Sequence, residues 1–163
     1  MRIKFTVFGE PKGKARPRFL RSGRAYTPRD TAEYEDYVRT CYKQAAGQMC
    51  FGDEAMIELS ITAYFAIPKN TGKKKRAQML SGEVLPAKKP DADNIAKIIA
   101  DSLNKAAYHD DKQVVSLHVR KRYSDSPRVE VELLEKKKEE NKHGTDQEAS
   151  DNAAPQNVAM DRA

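Results

Sequence analysis

Four carboxylates and one lysine lie near the middle of the chain in a pattern that suits metal-dependent phosphate chemistry. Asp91, Asp93 and Lys97 fall in the run Lys-Lys-Pro-Asp-Ala-Asp-Asn-Ile-Ala-Lys. A second acidic pair, Asp110 and Asp111, follows after enough residues for one helix. Magnesium and manganese ions prefer carboxylate oxygens, and a metal-bound water becomes a nucleophile that can attack a phosphodiester. These residues predict a metal-dependent phosphodiesterase site.

The acidic residues need particular geometry to act together. Asp91 and Asp93 converge only at the start of a helix, and Lys97 shares a helix face with Asp93. A helix of about 16 residues is roughly 24 Å long, so the tertiary fold or a second chain must bring Asp110 and Asp111 back. Each group also has an ordinary interpretation: helix-capping acids, a surface lysine pair and a solvated turn.

The charge distribution indicates a polyanionic partner. The chain has 163 residues, the length of one domain, and its 30 Lys and Arg against 24 Asp and Glu give a net charge of +6. Residues 1–29 alone carry nine basic side chains and one acid, Glu10. Such an excess favours nucleic-acid binding. We expect a folded domain over residues 1–135 and a disordered charged tail over 136–163, where hydrophobic periodicity ends.

Hydrophobic patterning predicts an α/β (α+β) domain with a small mixed sheet and two main helices. Strands are expected around Ile3–Val7 and over Met56–Ile67, and a hairpin over Val114–Tyr123 and Arg128–Leu134. Helices are expected over Pro28–Ala46, with a buried stripe of Tyr34, Val38, Cys41, Tyr42 and Ala45, and over Asp91–Ala107, with one of Ile95, Ile98, Ile99, Ser102, Leu103 and Ala106. Between the two helices, Arg76–Leu80 is long enough for one or two helical turns. Before the first helix, glycine and proline residues interrupt Lys12–Arg24, which predicts a loop or irregular hairpin there.

Two cysteines, Cys41 and Cys50, are too few for a disulfide framework, and their spacing does not fit a zinc finger. No apolar run approaches the roughly 20 residues that cross a bilayer, and no signal peptide opens the chain. We therefore expect a cytoplasmic protein, of bacterial or phage origin, with no membrane partner and no small-molecule cofactor.

The acidic motifs resemble those of the RusA-type Holliday junction resolvases. The pattern DxDNxxK, then DxLN, then DDxQV is matched from Asp91 to Val114. The amino-terminal half adds Gly-Glu-Pro-Lys-Gly-Lys-Ala-Arg-Pro-Arg, Tyr-Thr-Pro and Tyr-Glu, which resemble the branch of this family often found in prophages. The resemblance covers roughly residues 3–134.

This resemblance implies a homodimeric nuclease that makes paired, symmetric nicks in four-way DNA junctions using Mg²⁺ or Mn²⁺. By motif position Asp91, Asp93 and Asp111 are the expected catalytic metal ligands, with Asp110 ranked below Asp111, and Lys97 is the expected catalytic lysine. The predicted DNA-binding residues are Lys12, Lys14, Arg16, Arg18, Arg21, Arg24, Lys88, Lys89 and Asn94. Two alternatives stay open: a nuclease for other branched or single-stranded DNA, and a module that binds junctions without cutting them.

Overall fold

A computed structural model describes residues 1–136 as three helices, one four-stranded sheet and a small two-stranded sheet. The predicted tail lies outside these residues, apart from Lys136, which ends the last strand. In chain order the elements are β1 (Arg2–Phe8), β2 (Arg18–Phe19), β3 (Ala25–Tyr26), α1 (Arg29–Ala46), β4 (Met56–Ala66), α2 (Lys73–Ser81), α3 (Ala92–Leu103), β5 (Val114–Ser124) and β6 (Arg128–Lys136). The predicted α+β class, with a mixed sheet and two main helices, is confirmed.

The strand order of the main sheet is β1-β6-β4-β5. Strand β6 pairs antiparallel with both β1 and β4, whereas β4 and β5 run parallel. The predicted β5–β6 hairpin is therefore wrong, because β4 lies between these two strands. Skipping one strand requires about 9.6 Å, and the four Cα steps from Ser124 to Arg128 span up to about 13 Å. The short link between β5 and β6 is therefore long enough either for a hairpin or for skipping one strand, and its length does not decide between them.

Helices α1 and α3 pack against each other, and they contact the sheet through β1 and β5 respectively. The α3 stripe is buried as predicted from Ile95 to Leu103, because its apolar residues recur with helical periodicity. The α1 stripe is confirmed for Tyr34, Val38, Cys41 and Tyr42. Ala45 is exposed instead, and Thr31, one turn before Tyr34, is buried. These two helices hold the acidic motif against one face of the sheet.

Two helix boundaries differ from the prediction. Helix α1 begins at Arg29, with Pro28 in extended conformation as its N-cap. Helix α3 ends at Leu103, four residues before the predicted end. Lys105 has a φ of 61°, in the left-handed region, and its amide donates to the Tyr108 carbonyl at 2.7 Å. The helix ends because its C-cap residue, Asn104, has a ψ of 130°, and the left-handed Lys105 that follows turns the chain back.

The basic segment 12–24 was expected to be a loop or an irregular hairpin, and it combines the two: residues 12–17 have no regular structure, and Arg18–Phe19 pairs antiparallel with Ala25–Tyr26. Helix α2 extends over nine residues, longer than the one or two turns expected. No helix within residues 1–136 is long and apolar enough to cross a membrane.

Candidate active site and nucleic-acid interface

The start of α3 presents two uncommitted carboxylates. Asp91 is the N-cap residue in extended conformation, but its side chain makes no capping hydrogen bond, and Asp93 lies in the first turn. Both side chains are exposed. Because Asp91 is not used as a side-chain cap, helix capping does not account for its carboxylate. Two adjacent oxygen ligands at a water-accessible helix start fit Mg²⁺, which takes one or two carboxylates and keeps several waters.

Lys97 lies one turn after Asp93 on the same helix and is 63% exposed. Its ammonium is 3.9 Å from Oδ1 of Asp101, the next residue along that face. An exposed pair of this kind contributes only about 0.3–0.5 kcal/mol. Asp101 itself is held more firmly, because its Oδ2 lies 2.9 Å from the Lys14 ammonium, which also pairs with Glu35 of α1.

The two acids of the second pair have different surroundings. Asp110 caps a 3₁₀ turn at Asp111–Gln113: its carboxylate accepts from the Lys112 amide at 3.0 Å, and the Gln113 side chain accepts from the Asp110 amide. The hydrogen bond from Lys112 lowers the pKa of Asp110. Asp110 is therefore used structurally, whereas Asp111 is exposed at the surface of the turn.

The contacts of Tyr108 locate the second acidic pair relative to α3. Its hydroxyl donates to the Ala100 carbonyl in α3 at 2.9 Å, so the chain after α3 folds back along the helix. Burial raises the pKa of Tyr108, and the charges of Asp111 and Asp101 raise it further. The chain that carries Asp111 thus returns to the second half of α3, near Ala100, whereas Asp91 and Asp93 lie at the start of that helix. Within residues 1–136 of one chain, however, no three His, Cys, Asp or Glu side chains form a group that could hold a metal ion.

The segment 12–24, termed here the basic arm, crosses the start of α3. The Lys14 amide donates to the Asn94 carbonyl at 3.0 Å. Gly13 lies so close to the helix that a Cβ there would be 2.8 Å from Cβ of Pro90 and 3.1 Å from Cβ of Asn94. The absence of a side chain at Gly13 allows this approach. This contact could not be predicted from the sequence, although Gly13 lies in the basic motif.

A surface pocket of about 630 Å³ forms between the basic arm and the acidic motif. Five of the nine predicted DNA-binding residues line it, together with Asp91: Lys12, Lys14, Arg16, Lys89 and Asn94. Residues far apart in sequence therefore share one concave surface in which basic groups lie beside a carboxylate. Asp30 and Thr31, at the start of α1, also line this pocket and were not predicted.

The other four predicted DNA-binding residues lie outside that pocket. Arg18, Arg21 and Arg24 are exposed on the β2–β3 hairpin. The ammonium of Lys88 lies over the rings of Phe65 and Tyr123, at 5.2 and 5.8 Å from their centroids. The hairpin can contact DNA at a distance from the pocket, whereas Lys88 is partly occupied by aromatic contacts.

Two aromatic residues flank the arginines of the arm and are exposed: Phe19 by 73% and Tyr26 by 42%. The sequence left open whether they pack in the core or stack on an opened junction. Their exposure excludes the core interpretation, since neither ring is buried in the described chain. Base stacking by these rings stays a prediction.

The chain belongs to a family of DNA-cleaving enzymes, because the profile described as endodeoxyribonuclease RusA matches residues 9–134. The resemblance drawn from the acidic motifs is thereby confirmed. An uncharacterized protein of Bacillus subtilis (strain 168), YqaN, is 37% identical over 138 residues, which cover 82% of this chain and 96% of YqaN. A crossover junction endodeoxyribonuclease, rusA of Lactococcus phage r1t, is 32% identical over 87 residues, covering 53% of this chain and 60% of the phage protein.

Proposed function

We propose that this chain is a divalent-metal-dependent endonuclease that resolves four-way DNA junctions by paired, symmetric nicks. The observation that carries the proposal is the shared pocket, in which Lys12, Arg16 and Lys89 lie beside Asp91. Basic groups there neutralise phosphates and hold the backbone, while the acidic motif supplies oxygen ligands. The name of the phage relative supports the choice of a four-way junction as substrate.

Each residue has a distinct role in this proposal. Asp91 and Asp93 would hold Mg²⁺ or Mn²⁺. Because the described residues of one chain do not gather three acids, Asp111 would complete the ligand set only after a rearrangement or from a second copy of the chain. When bound there, the ion would supply Lewis-acid activation of the scissile phosphate and of a water nucleophile. Lys12 and Arg16 hold the phosphates beside the cut. Lys97, one turn into the helix, stabilises negative charge that develops on the phosphate.

We also propose that the active form is a homodimer. A junction is resolved only when two strands of like polarity are cut, and a two-fold axis places two sites symmetrically on a two-fold substrate. The edge strand β5 carries two exposed apolar side chains, Val115 and Leu117, that a second copy can cover. Light scattering tests the assembly, with twice the monomer mass expected. We further propose a cytoplasmic location, where its DNA substrate is found.

The activity is tested by incubating the chain with a mobile four-way junction, a replication fork, a duplex and a single strand, with Mg²⁺, Mn²⁺ or EDTA. We expect paired nicks in the junction only when metal is present. Cleavage of the fork or single strand in preference to the junction would instead indicate a nuclease for other DNA. Metal-independent binding with no cleavage of any substrate would indicate a binding module.

The site assignment is tested with Asp93→Asn. Loss of one metal ligand should slow nicking at least about 100-fold, the scale of a lost transition-state stabilising group. Junction affinity should be retained or increase, because a negative charge facing phosphate is removed. Asp36→Asn is the matched control, since Asp36 pairs with Arg39 on the exposed side of α1. Normal cleavage by Asp93→Asn would refute the assignment.

A further inference from the structure

Four side chains of alternating charge connect the first helix to the proposed catalytic lysine. Glu35 of α1 pairs with Lys14 of the basic arm, Lys14 pairs with Asp101 of α3 at 2.9 Å, and Asp101 lies 3.9 Å from Lys97. The first three side chains are 15%, 20% and 25% exposed, against 63% for Lys97. The series therefore runs from a shielded interior end to an exposed functional end.

The two oxygens of Asp101 have separate partners. Oδ2 faces the Lys14 ammonium, and Oδ1 faces Lys97. Lys14 is itself fixed at two points, because its amide donates to Asn94 and its ammonium also pairs with Glu35. Anchoring one oxygen sets the orientation of the carboxylate, so the other points toward Lys97 in a defined direction.

The charge state of Lys14 supports this arrangement. Burial alone would lower the pKa of Lys14, but its hydrogen bonds to Glu35 and Asp101 outweigh that effect and raise it above the usual value. Lys14 is therefore a permanent cation between two carboxylates. Glu35, Lys14 and Asp101 together carry one net negative charge, and Lys97 is the neighbouring cation that balances it.

We propose that Asp101 is a positioning residue for Lys97, and that Lys14 and Glu35 anchor Asp101. On this basis Lys14 serves as an internal anchor, while its neighbours on the arm contact phosphate. The inference rests on the proposed role of Lys97 in cleavage. The inference assigns a function to Asp101, the acid of the DxLN motif, and to Glu35. The proposed metal ligands and catalytic lysine do not by themselves explain either residue.

Single-turnover cleavage of a four-way junction, measured together with junction affinity, tests Asp101. We expect Asp101→Asn to cleave about 10- to 100-fold more slowly, the effect of a misplaced catalytic group, with affinity unchanged within about twofold. Asp101→Glu, which keeps the charge, should recover part of the rate. The control variant Asp36→Asn, which removes one charge of the exposed Asp36–Arg39 pair on α1, should cleave the junction at the normal rate. Thermal melting confirms that each variant is folded.

A double substitution shows whether Asp101 acts through Lys97. If it does, adding Asp101→Asn to Lys97→Met should slow cleavage no further, because effects on one functional unit do not multiply. Multiplying effects would overturn the proposal, as would an Asp101→Asn variant that cleaves at the normal rate. If the unaltered chain cleaves no DNA, the proposed function fails and the role of Asp101 fails with it.

The anchoring role of Lys14 is tested against Lys12, its exposed neighbour on the arm. Lys12→Met should reduce the salt dependence of junction binding by about one phosphate contact, a change of about 0.9 in the logarithmic slope. Lys14→Met should leave that slope unchanged, lower the melting temperature and slow cleavage as Asp101→Asn does. A lowered slope with normal melting and cleavage would show that Lys14 is a phosphate contact and overturn its anchoring role.

Discussion

Replacing Gly13 with alanine should release the basic arm from the start of α3. The added Cβ would lie 2.8 Å from Cβ of Pro90 and 3.1 Å from Cβ of Asn94. Carbon atoms in good contact are about 3.5–4.0 Å apart, so the overlap with Pro90 is at least roughly 0.7 Å. The neighbouring atoms are a proline ring and the base of a helical side chain, which cannot swing away. We therefore expect the arm to move instead.

The size of the effect follows from the cost of overpacking, which is about 1–3 kcal/mol for an added methyl-sized group. If this cost opposes docking of the arm, its detached state becomes roughly 5 to 150 times more populated. The Lys14 amide, which donates to Asn94 at 3.0 Å, reports this directly. Its hydrogen exchange through local opening should accelerate by the same factor, and junction affinity should fall.

The assay is amide hydrogen exchange at Lys14, with fluorescence anisotropy of a labelled junction measured in EDTA so that no cleavage occurs. Gly52→Ala is the control, because nothing lies within 4 Å of a Cβ at Gly52 and its φ is not positive. If Gly13→Ala and Gly52→Ala show the same Lys14 exchange and the same junction affinity, the arm does not depend on this close approach. The proposed pocket would then need a different explanation.

Three further predictions concern the second acidic pair, the arm and the tail. Asp110→Ala should lower the free energy of unfolding, because the hydrogen bond that caps the 3₁₀ turn is lost, with cleavage largely kept, whereas Asp111→Asn should abolish cleavage with little effect on stability; denaturation and nicking assays compare the two, and the reverse pattern would contradict our assignment. Replacing Arg16 and Arg18 together with alanine should weaken junction binding and reduce the logarithmic salt slope by up to about 1.8; an unaltered slope would show that the arm does not bind phosphate. A chain ending at Lys136 should melt and cleave like the full chain, and loss of either property would show that residues 137–163 are needed.

The helices could be predicted from the sequence because their apolar residues repeat with the helical period, as from Ile95 to Leu103. The strand order could not, because alternation along β5 and β6 shows which face of each strand is buried and leaves its neighbours undetermined. The early end of α3 was also missed, since the apolar repeat continues to Ala106 and Ala107 although Asn104 has already left the helical conformation.

Some residues of the candidate site could also be predicted from the sequence, whereas others could not. Motif spacing identified Asp91, Asp93 and Lys97 as residues that share the start of one helix. The link from Lys14 to Asp101 joins residues 87 positions apart and depends on how α1, the arm and α3 pack. The four-residue spacing of Lys97 and Asp101 was a local signal that could have revealed Asp101. Glu35 lies in the Tyr-Glu motif of the resemblance, but its pairing with Lys14 could not be inferred, because the two residues lie on different elements.

The place of β6 in the sheet has a consequence for how the chain acquires its structure. Among the described strands, β1 is the first in chain order and hydrogen-bonds in the main sheet to β6 alone, the last, and the Met1 carbonyl accepts from the Glu135 amide at 2.9 Å. A nascent chain therefore holds β1 and β4 as two unsatisfied edges until residues 128–136 have left the ribosome. We expect the main sheet to form only once residues 128–136 are available, slowed by these distant pairings, and any product that stops before Arg128 to be a target for aggregation or proteolysis.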